Sequence, residues 1–354
     1  MKILLVNKYL YRKGGAETYS IKLGEYLKSL GNEVEYFGMA DERNCVENRV
    51  EAYTENIDFH KKSLKHITYP FKIIYSVNAR KQIRKVLSDF KPDVVHLNNF
   101  NYQLTPSIIY EIKKHNIPIV YTAHDVQLVC PNHKLKNDYT DGLCRKCDGG
   151  KYFECVKNNC VHSSKIRSIL GAVEAWYYKL RHTYKMIDLT VCPSEFMEKE
   201  ISRNDDINGR TLTMYNFIDE IKPLGAECEN YVLYFGRYSE EKGISNLVKA
   251  AKKLSNIPFV FAGKGELENE VNSADNIKNV GFKTGDELRN IIEKALFTVL
   301  PAEWSENCPF SVMESQSLMT PVLGAKIGGI PELINDGKTG ILFESGNLKE
   351  LTEK

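Results

Sequence analysis

Short runs of apolar residues recur along the chain, each followed by a polar or glycine-bearing loop. Lys2–Asn7, Glu33–Phe37, Asp93–Leu97, Pro118–Thr122, Leu189–Pro193 and Thr211–Phe217 have the length and continuity of strands buried in a parallel sheet. Between them, Tyr19, Leu23, Tyr26, Leu27 and Leu30 fall at helical spacing, with Gly31 as the stop. Helices are likewise expected around Pro106–Lys114 and Ser194–Ile201. After Glu220–Asn230, which lacks periodicity and holds a Pro and a Gly, the pattern starts again. Tyr231–Phe235 reads as a strand, Gly236–Gly243 as a polar turn, Ile244–Leu254 as a helix and Pro258–Ala262 as a strand. Residues 299–343 then give a strand ending at Pro301, a loop holding Glu303 and Glu306, and a helix starting at Pro309 and carrying Glu314. A second strand and a turn with Gly324, Gly328 and Gly329 follow. Two successive βαβ halves predict an α/β protein of two similar domains, 1–222 and 223–354, facing across a cleft.

Composition narrows the function more than the fold. The 354 residues are 42% hydrophobic and 27% charged with a formal net charge of +2, so binding to nucleic acid or membrane has to come from local clusters. No run approaches the roughly 18–20 apolar residues of a membrane span, and the N-terminal run is too short for a signal peptide. The expected location is the cytoplasm. Two stretches mix basic and apolar residues: 60–87, with Lys61, Lys62, Lys65, Lys72, Arg80, Lys81, Arg84 and Lys85, and Lys165–Lys185, with Ile166, Ile169, Leu170, Val173, Trp176, Tyr177 and Leu180. Each reads either as a solvated helix face or as a surface for anionic lipid at the inner face of the cell membrane.

Nine cysteines are present, four of them bunched as Cys144-x2-Cys147-x7-Cys155-x4-Cys160 within an insertion at 130–162. The odd total and absent export signal argue against a disulfide scaffold. The spacing fits a structural zinc site, with Cys130 and His162 in reserve; the alternative is reduced thiols in a loop covering the acceptor side.

The chemistry is anion binding. The start of the helix at Cys308–Val312 offers unpaired N–H groups to a phosphate, and Glu314 beside it suits two ribose hydroxyls. Arg237 and Lys242, on the loop after the first strand of the second half, suit a diphosphate as fork and point charge; the bland alternative is an ion pair with a neighbouring Glu. G-x-G-x-x-G, Walker A and G-x-S-x-G patterns are absent, which disfavours dinucleotide, P-loop and serine-hydrolase chemistry.

From Gly14-Gly15-Ala16-Glu17 through Gly236-Arg237…Glu241-Lys242-Gly243 to Glu306-x7-Glu314 and GGIPELINDGKTGILF, the chain resembles the retaining, nucleotide-sugar-dependent glycosyltransferases of sequence family four, which have the GT-B fold. The resemblance implies that Arg237 and Lys242 neutralise the donor diphosphate, that Glu314 holds the ribose and Glu306 the transferred sugar. It implies that Asn307, Cys308, Pro309 and Phe310 border the sugar and phosphate, and that Gly14 and Gly15 approach the phosphates. His124 would contact the sugar, oriented by Asp125, and the loop beginning at Gly263 would meet the base. Hexose transfer to a saccharide or lipid-linked acceptor in polysaccharide assembly is the implied function, with no nucleic acid and no catalytic cofactor, since no Asp-x-Asp metal motif is present. Retention would use front-face attack or a carboxylate nucleophile. A GT-B nucleotide-sugar epimerase and a non-catalytic sugar-nucleotide-binding protein are the rival readings. Relative to that family, Leu348–Lys354 reads as the start of a helix, without the final crossover back to the first domain.

Overall fold

The computed structural model describes residues 1–56, 69–137 and 142–354. Contacts divide it into two units, Met1–Tyr215 and Asn216–Lys354, earlier than the expected boundary at 222/223. The reason is local. The segment after Asn216 is held by the second unit: the amides of Leu224, Gly225 and Ala226 donate to the Glu293 carboxylate at 2.7, 2.7 and 3.1 Å.

The first unit is a parallel sheet of β1 (Lys2–Val6), β2 (Glu33–Phe37), β3 (Val94–Leu97), β4 (Ile119–Thr122), β5 (Leu189–Cys192) and β6 (Thr211–Thr213), in the order β2-β1-β3-β4-β5-β6. Its helices are α1 (Gly15–Ser29), α2 (Tyr69–Ile74), α3 (Val77–Phe90), α4 (Ser107–Lys114), α5 (Phe153–Lys157), α6 (Lys165–Leu180) and α7 (Glu195–Ile201). Leu4, Val6, Val95, Leu97 and Tyr121 from the strands pack with Ile83, Phe90, Ile108 and Ile112 from α3 and α4.

That packing decides the first basic stretch. Residues 57–68, with Lys61, Lys62 and Lys65, lie outside the described residues. From Val77 onward the stretch is a core helix, with Ala79, Ile83, Val86, Leu87 and Phe90 buried. Its arginines face α4, where Arg80 and Arg84 reach the buried Glu111 at 2.8 and 2.6 Å. This part of the lipid-surface expectation is therefore corrected: the apolar face belongs to the interior.

The second unit has β7 (Val232–Tyr238), β8 (Phe259–Gly265), β9 (Ile277–Asn279), β10 (Phe297–Leu300), β11 (Val322–Ala325) and β12 (Gly340–Phe343) in the order β12-β11-β10-β7-β8-β9, again parallel. Its helices are α8 (Ile244–Lys253), α9 (Glu268–Val271), α10 (Gly285–Lys294), α11 (Phe310–Ser317), α12 (Ile330–Leu333) and α13 (Leu348–Glu353). In each unit the winding reverses once, between β1 and β3 and between β7 and β10. Loops leaving the carboxyl ends of such a pair diverge and leave a crevice where ligands of doubly wound sheets bind.

Glu111→Ala tests the arginine clamp. It strands Arg80, whose side chain is largely buried, while the half-exposed Arg84 can return to water. The expected loss is about 3 kcal/mol, the cost of a buried charge without its partner, read from denaturant unfolding.

Candidate active site

At the second unit's reversal, β7 runs further than its apolar pattern predicts. It continues through Gly236 and Arg237 to Tyr238, paired with Gly263, Lys264 and Gly265 of β8. Two features permit this. Tyr238 is fully buried and donates to Asn279 at 3.0 Å; and a Cβ on Gly263 would stand 1.9 Å from the Gly236 carbonyl oxygen, so only glycine lets the strands close. Arg237 therefore sits near a strand end, its guanidinium exposed and 4.0 Å from Glu241.

Lys242 ends the short turn after β7 and its ammonium pairs with Glu306. The same carboxylate oxygen accepts the Trp304 indole N–H at 2.7 Å, and Glu306 is only 9% exposed. Its carbonyl accepts the Gly329 amide at 2.8 Å. Gly328, at φ +59°, lies so close that a Cβ would be 2.1 Å from that carbonyl oxygen. The glycine pair of GGIPELI is thus the surface on which the Glu306 loop rests. Glu303, the other acid of the loop, accepts from Asn246 at 2.6 Å.

Beyond Glu306, Asn307 is half-buried and Cys308 and Pro309 are buried. Asn216 donates to the Cys308 carbonyl at 2.9 Å. Helix α11 begins at Phe310, with Pro309 as its extended cap rather than its first residue. Glu314 lies in the second turn. Lys242 and Glu306 are thus brought into direct contact, the ion pair that the sequence left as the bland alternative. Trp304 and Asn216 carried no sequence signal.

In the first unit the reversal is tied together by backbone. Lys8 N–H donates to Asn99 at 2.7 Å, and the Asn99 amide donates to the Asn7 side chain at 3.0 Å. Gly14 caps α1 in an extended conformation and Gly15 is its first residue, so the amides of that first turn are available to an anion. His124, after β4, donates from Nε2 to Asn98 Oδ1 at 2.9 Å and meets the Tyr19 ring edge-on at 5.0 Å. Burial lowers its pKa to about 3, so the ring is neutral at physiological pH.

Asp125 does not orient His124 as expected. It turns to His133 at 3.4 Å and accepts the Gln127 amide at 2.9 Å. Asn98 orients the histidine instead, because β3 lies beside β4 and delivers its following residue to the same edge.

A cavity of about 500 Å³ opens in this unit, bounded by Lys8, Tyr9, Tyr102, His133, Arg167 and Glu174 among others. Tyr102 and His133 stack at 5.6 Å, and Lys8 reaches Asn101 at 3.0 Å while lying over the Tyr102 ring. Burial holds Lys8 down to about 8 and pushes Glu174 up to about 7. Half-buried titratable groups with shifted pKa values bordering a cavity are a signature of functional sites, and none of these carried a signal in the sequence.

The cysteines of the insertion also gather. Cys144, Cys147, Cys155 and Cys160 line one narrow cavity together with Cys130, and none of the nine cysteines is in a disulfide. Among the described residues, no group of three or more His, Cys, Asp or Glu side chains is set to hold a metal ion.

Two doubly wound units, each with a helix N-terminus at its reversal point and the second with a cation–carboxylate node there, carry groups that suit an anion. Family comparison makes this specific. Residues 13–221 match the model of Glycosyltransferase Family 4 and residues 217–354 that of Glycosyl transferases group 1, so the chain belongs to the family-four glycosyltransferases.

A 42.6 kDa uncharacterised protein of the Klebsiella pneumoniae cps region is 26% identical over 94% of this chain and 87% of its own length. An uncharacterised glycosyltransferase of Methanocaldococcus jannaschii is 24% identical over 55% of this chain, and the aligned part spans 56% of that relative. For the sulfoquinovosyl transferase of Arabidopsis thaliana, 27% identical over 81% of this chain, the span is 53%. Among solved structures, Anabaena HepE in complex with UDP aligns at TM-score 0.68 and 17% identity, covering 100% of this chain and 88% of that one. Sucrose-phosphate synthase from Thermosynechococcus elongatus aligns at 0.70 and 16%, covering 99% and 88%. The fold is GT-B.

Three half-buried titratable groups set a pH response. His96 and His124 have pKa values near 4 and 3 in the fold, against 6.5 unfolded. Below pH 6.5 the unfolded chain takes up protons that the folded chain refuses, so both erode stability as pH falls. Glu174, which faces His133, works the other way. Its raised pKa contributes stability that is fully present below the unfolded value of 4.5 and lost as pH rises through about 7. Glu174→Gln removes that compensation. Its melting temperature is expected to fall more steeply than the parent's between about pH 7 and pH 5, and parallel curves in thermal melts would refute the assignment.

Proposed function

We propose that the protein moves a hexose from a nucleoside-diphosphate sugar to a saccharide or lipid-linked acceptor, with retention at the anomeric carbon, in cell-surface polysaccharide synthesis. The observation carrying this reading is the Lys242–Glu306–Trp304 node at the reversal of the second sheet. A cation and a carboxylate held together there suit a ligand that joins a diphosphate to a hydroxylated sugar. The HepE complexes with UDP and UDP-glucose and the cps-region relative support donor and pathway class.

In this reading Lys242 and Arg237 meet the diphosphate, Glu314 the ribose and Glu306 the sugar hydroxyls. Asn307 through Phe310 border the sugar and phosphate, and Gly263 lies toward the base. In the first unit Gly14 and Gly15 offer the α1 amides to phosphate, and His124 presents a neutral imidazole to the sugar. Departure of the nucleoside diphosphate builds negative charge on its terminal phosphate. Fixed cations and helix N-termini stabilise that charge more in the transition state than in the ground state, which is the work a divalent metal performs in other transferases. The acceptor proton passes to a donor phosphate oxygen during front-face attack.

Lys242→Ala is expected to lower kcat/KM about 100-fold, the scale of losing one fixed electrostatic partner, and to weaken UDP binding. His124→Ala should lose turnover with nucleotide affinity nearly unchanged. Initial rates of UDP release from UDP-glucose with a membrane extract, beside UDP titration, separate the two; parent-like rates in Lys242→Ala sink the reading. Product anomer by NMR tests retention, and activity in EDTA tests independence of a catalytic metal. UDP released with no extract would favour the epimerase alternative.

A second reading concerns the insertion: we infer that Cys144, Cys147, Cys155 and Cys160 close on a structural zinc ion. Their common cavity and their short-range pairing support it. One zinc per chain by elemental analysis of protein purified without chelator is expected, together with a lowered melting temperature after chelation. Metal-free protein with an unchanged melt overturns it.

A further inference from the structure

Helix α6 presents three different faces. Ser168, Ala172 and Tyr178 are buried against the unit, with the Tyr178 hydroxyl donating to the Ile74 carbonyl. Arg167, Leu170, Gly171 and Glu174 line the 500 Å³ cavity. The third face holds Ile166, Ile169, Val173, Trp176 and Leu180, exposed by 72, 42, 40, 36 and 79%. Their spacing of three and four residues places all five on one stripe. Scattered exposed leucines need no explanation, but a contiguous stripe does.

Its surroundings say what covers it. The insertion packs alongside, with Trp176 donating to the Gly150 carbonyl at 2.9 Å and Tyr152 6.3 Å from the indole; Phe153, the residue after Tyr152 and the first of α5, is 61% exposed. The helix and its ends carry Lys165, Arg167, Lys179 and Arg181; the insertion adds Lys151 and Lys157. The one acid of α6, Glu174, is turned into the cavity. An apolar stripe bordered by cations, with no acid facing outward from the helix, complements an anionic lipid surface. A second copy of the chain packed through the same face would set these cations against each other.

We propose that this face of α6, together with Phe153 of the insertion, docks on an anionic membrane. The inference rests on the acceptor side of the reading above and deepens it. Because the cavity-lining residues are the next face of the same helix, docking sets the cavity beside the lipid headgroups, where a lipid-borne acceptor presents its polar end. Leu180 and Ile166, at the two ends of the stripe, enter the interface. Lys165 and Lys179 meet the lipid phosphates.

Flotation of the intact chain with vesicles tests this. Binding is expected to phosphatidylcholine vesicles containing phosphatidylglycerol, at least tenfold above binding to pure phosphatidylcholine, and to weaken in high salt. Ile166→Gln/Leu180→Gln should reduce it at least tenfold, and Lys165→Glu/Lys179→Glu should remove the preference for phosphatidylglycerol. Ile166, Leu180 and Lys165 are exposed and Lys179 is half-buried beside Gly150, so melting temperatures are measured for both double variants; a lowered melt would disqualify that variant and leave the parent's lipid preference and salt dependence to decide. Failure to float, or equal binding to neutral vesicles, overturns the proposal. So does a dimer in light scattering that the Ile166→Gln/Leu180→Gln variant abolishes. Stabilisation by UDP in thermal shift, measured in parallel on all variants, reports on the donor reading alone.

Discussion

The contact on which the second unit's site depends is the one between Glu306 and everything around it. Its carboxylate holds Lys242 and Trp304, and its carbonyl holds the amide of Gly329. Three loops, from β7, β10 and β11, are fixed by this residue. A buried carboxylate is tolerated only when charge and hydrogen bonds compensate its lost hydration. The same loops that need Glu306 supply the compensation. Two glycines make the geometry accessible: Gly328 beside Glu306 itself, and Gly243, whose Cβ would stand 1.8 Å from the Pro301 carbonyl oxygen.

The first unit reaches a comparable result with neutral groups. Asn7, Asn98 and Asn99 sit where β1 and β3 end, and they bridge the two loops and hold His124 through hydrogen bonds. An imidazole anchored this way keeps one nitrogen committed to Asn98 and the other with its lone pair. The contrast matches the proposed division of labour, charge beside the donor diphosphate and a neutral ring beside the sugar.

Much of this was legible in the sequence, for stated reasons. Continuous apolar runs gave the inner strands because parallel strands are covered on both faces, and glycines and acids at their ends gave the loops. The extension of β7 through Arg237 was hidden, since it depends on Gly236 meeting Gly263, a partner 27 positions away. The basic stretch at 60–87 looked the same as α6 by periodicity, yet α3 turns its apolar face inward and α6 does not. Periodicity reports that a face exists, and only the fold decides what it meets. Asn98, Trp304 and Glu174 were missed because their importance comes from neighbours distant in sequence. Glu174 in particular reads as one more charge on a helix until the cavity beside it is seen.

The pairing of Lys242 with Glu306 has a consequence for how any anion arrives. In the free protein this lysine's charge is already spoken for, so binding at it is an exchange of one negative partner for another. A bare phosphate would leave Glu306, only 9% exposed, without its cation. A ligand whose anionic part takes the lysine while its hydroxyl groups take the carboxylate leaves neither group stranded. Under the proposed donor reading, selection between a simple anion and a sugar-bearing one would arise from a single swap of partners, before any contact with base or acceptor.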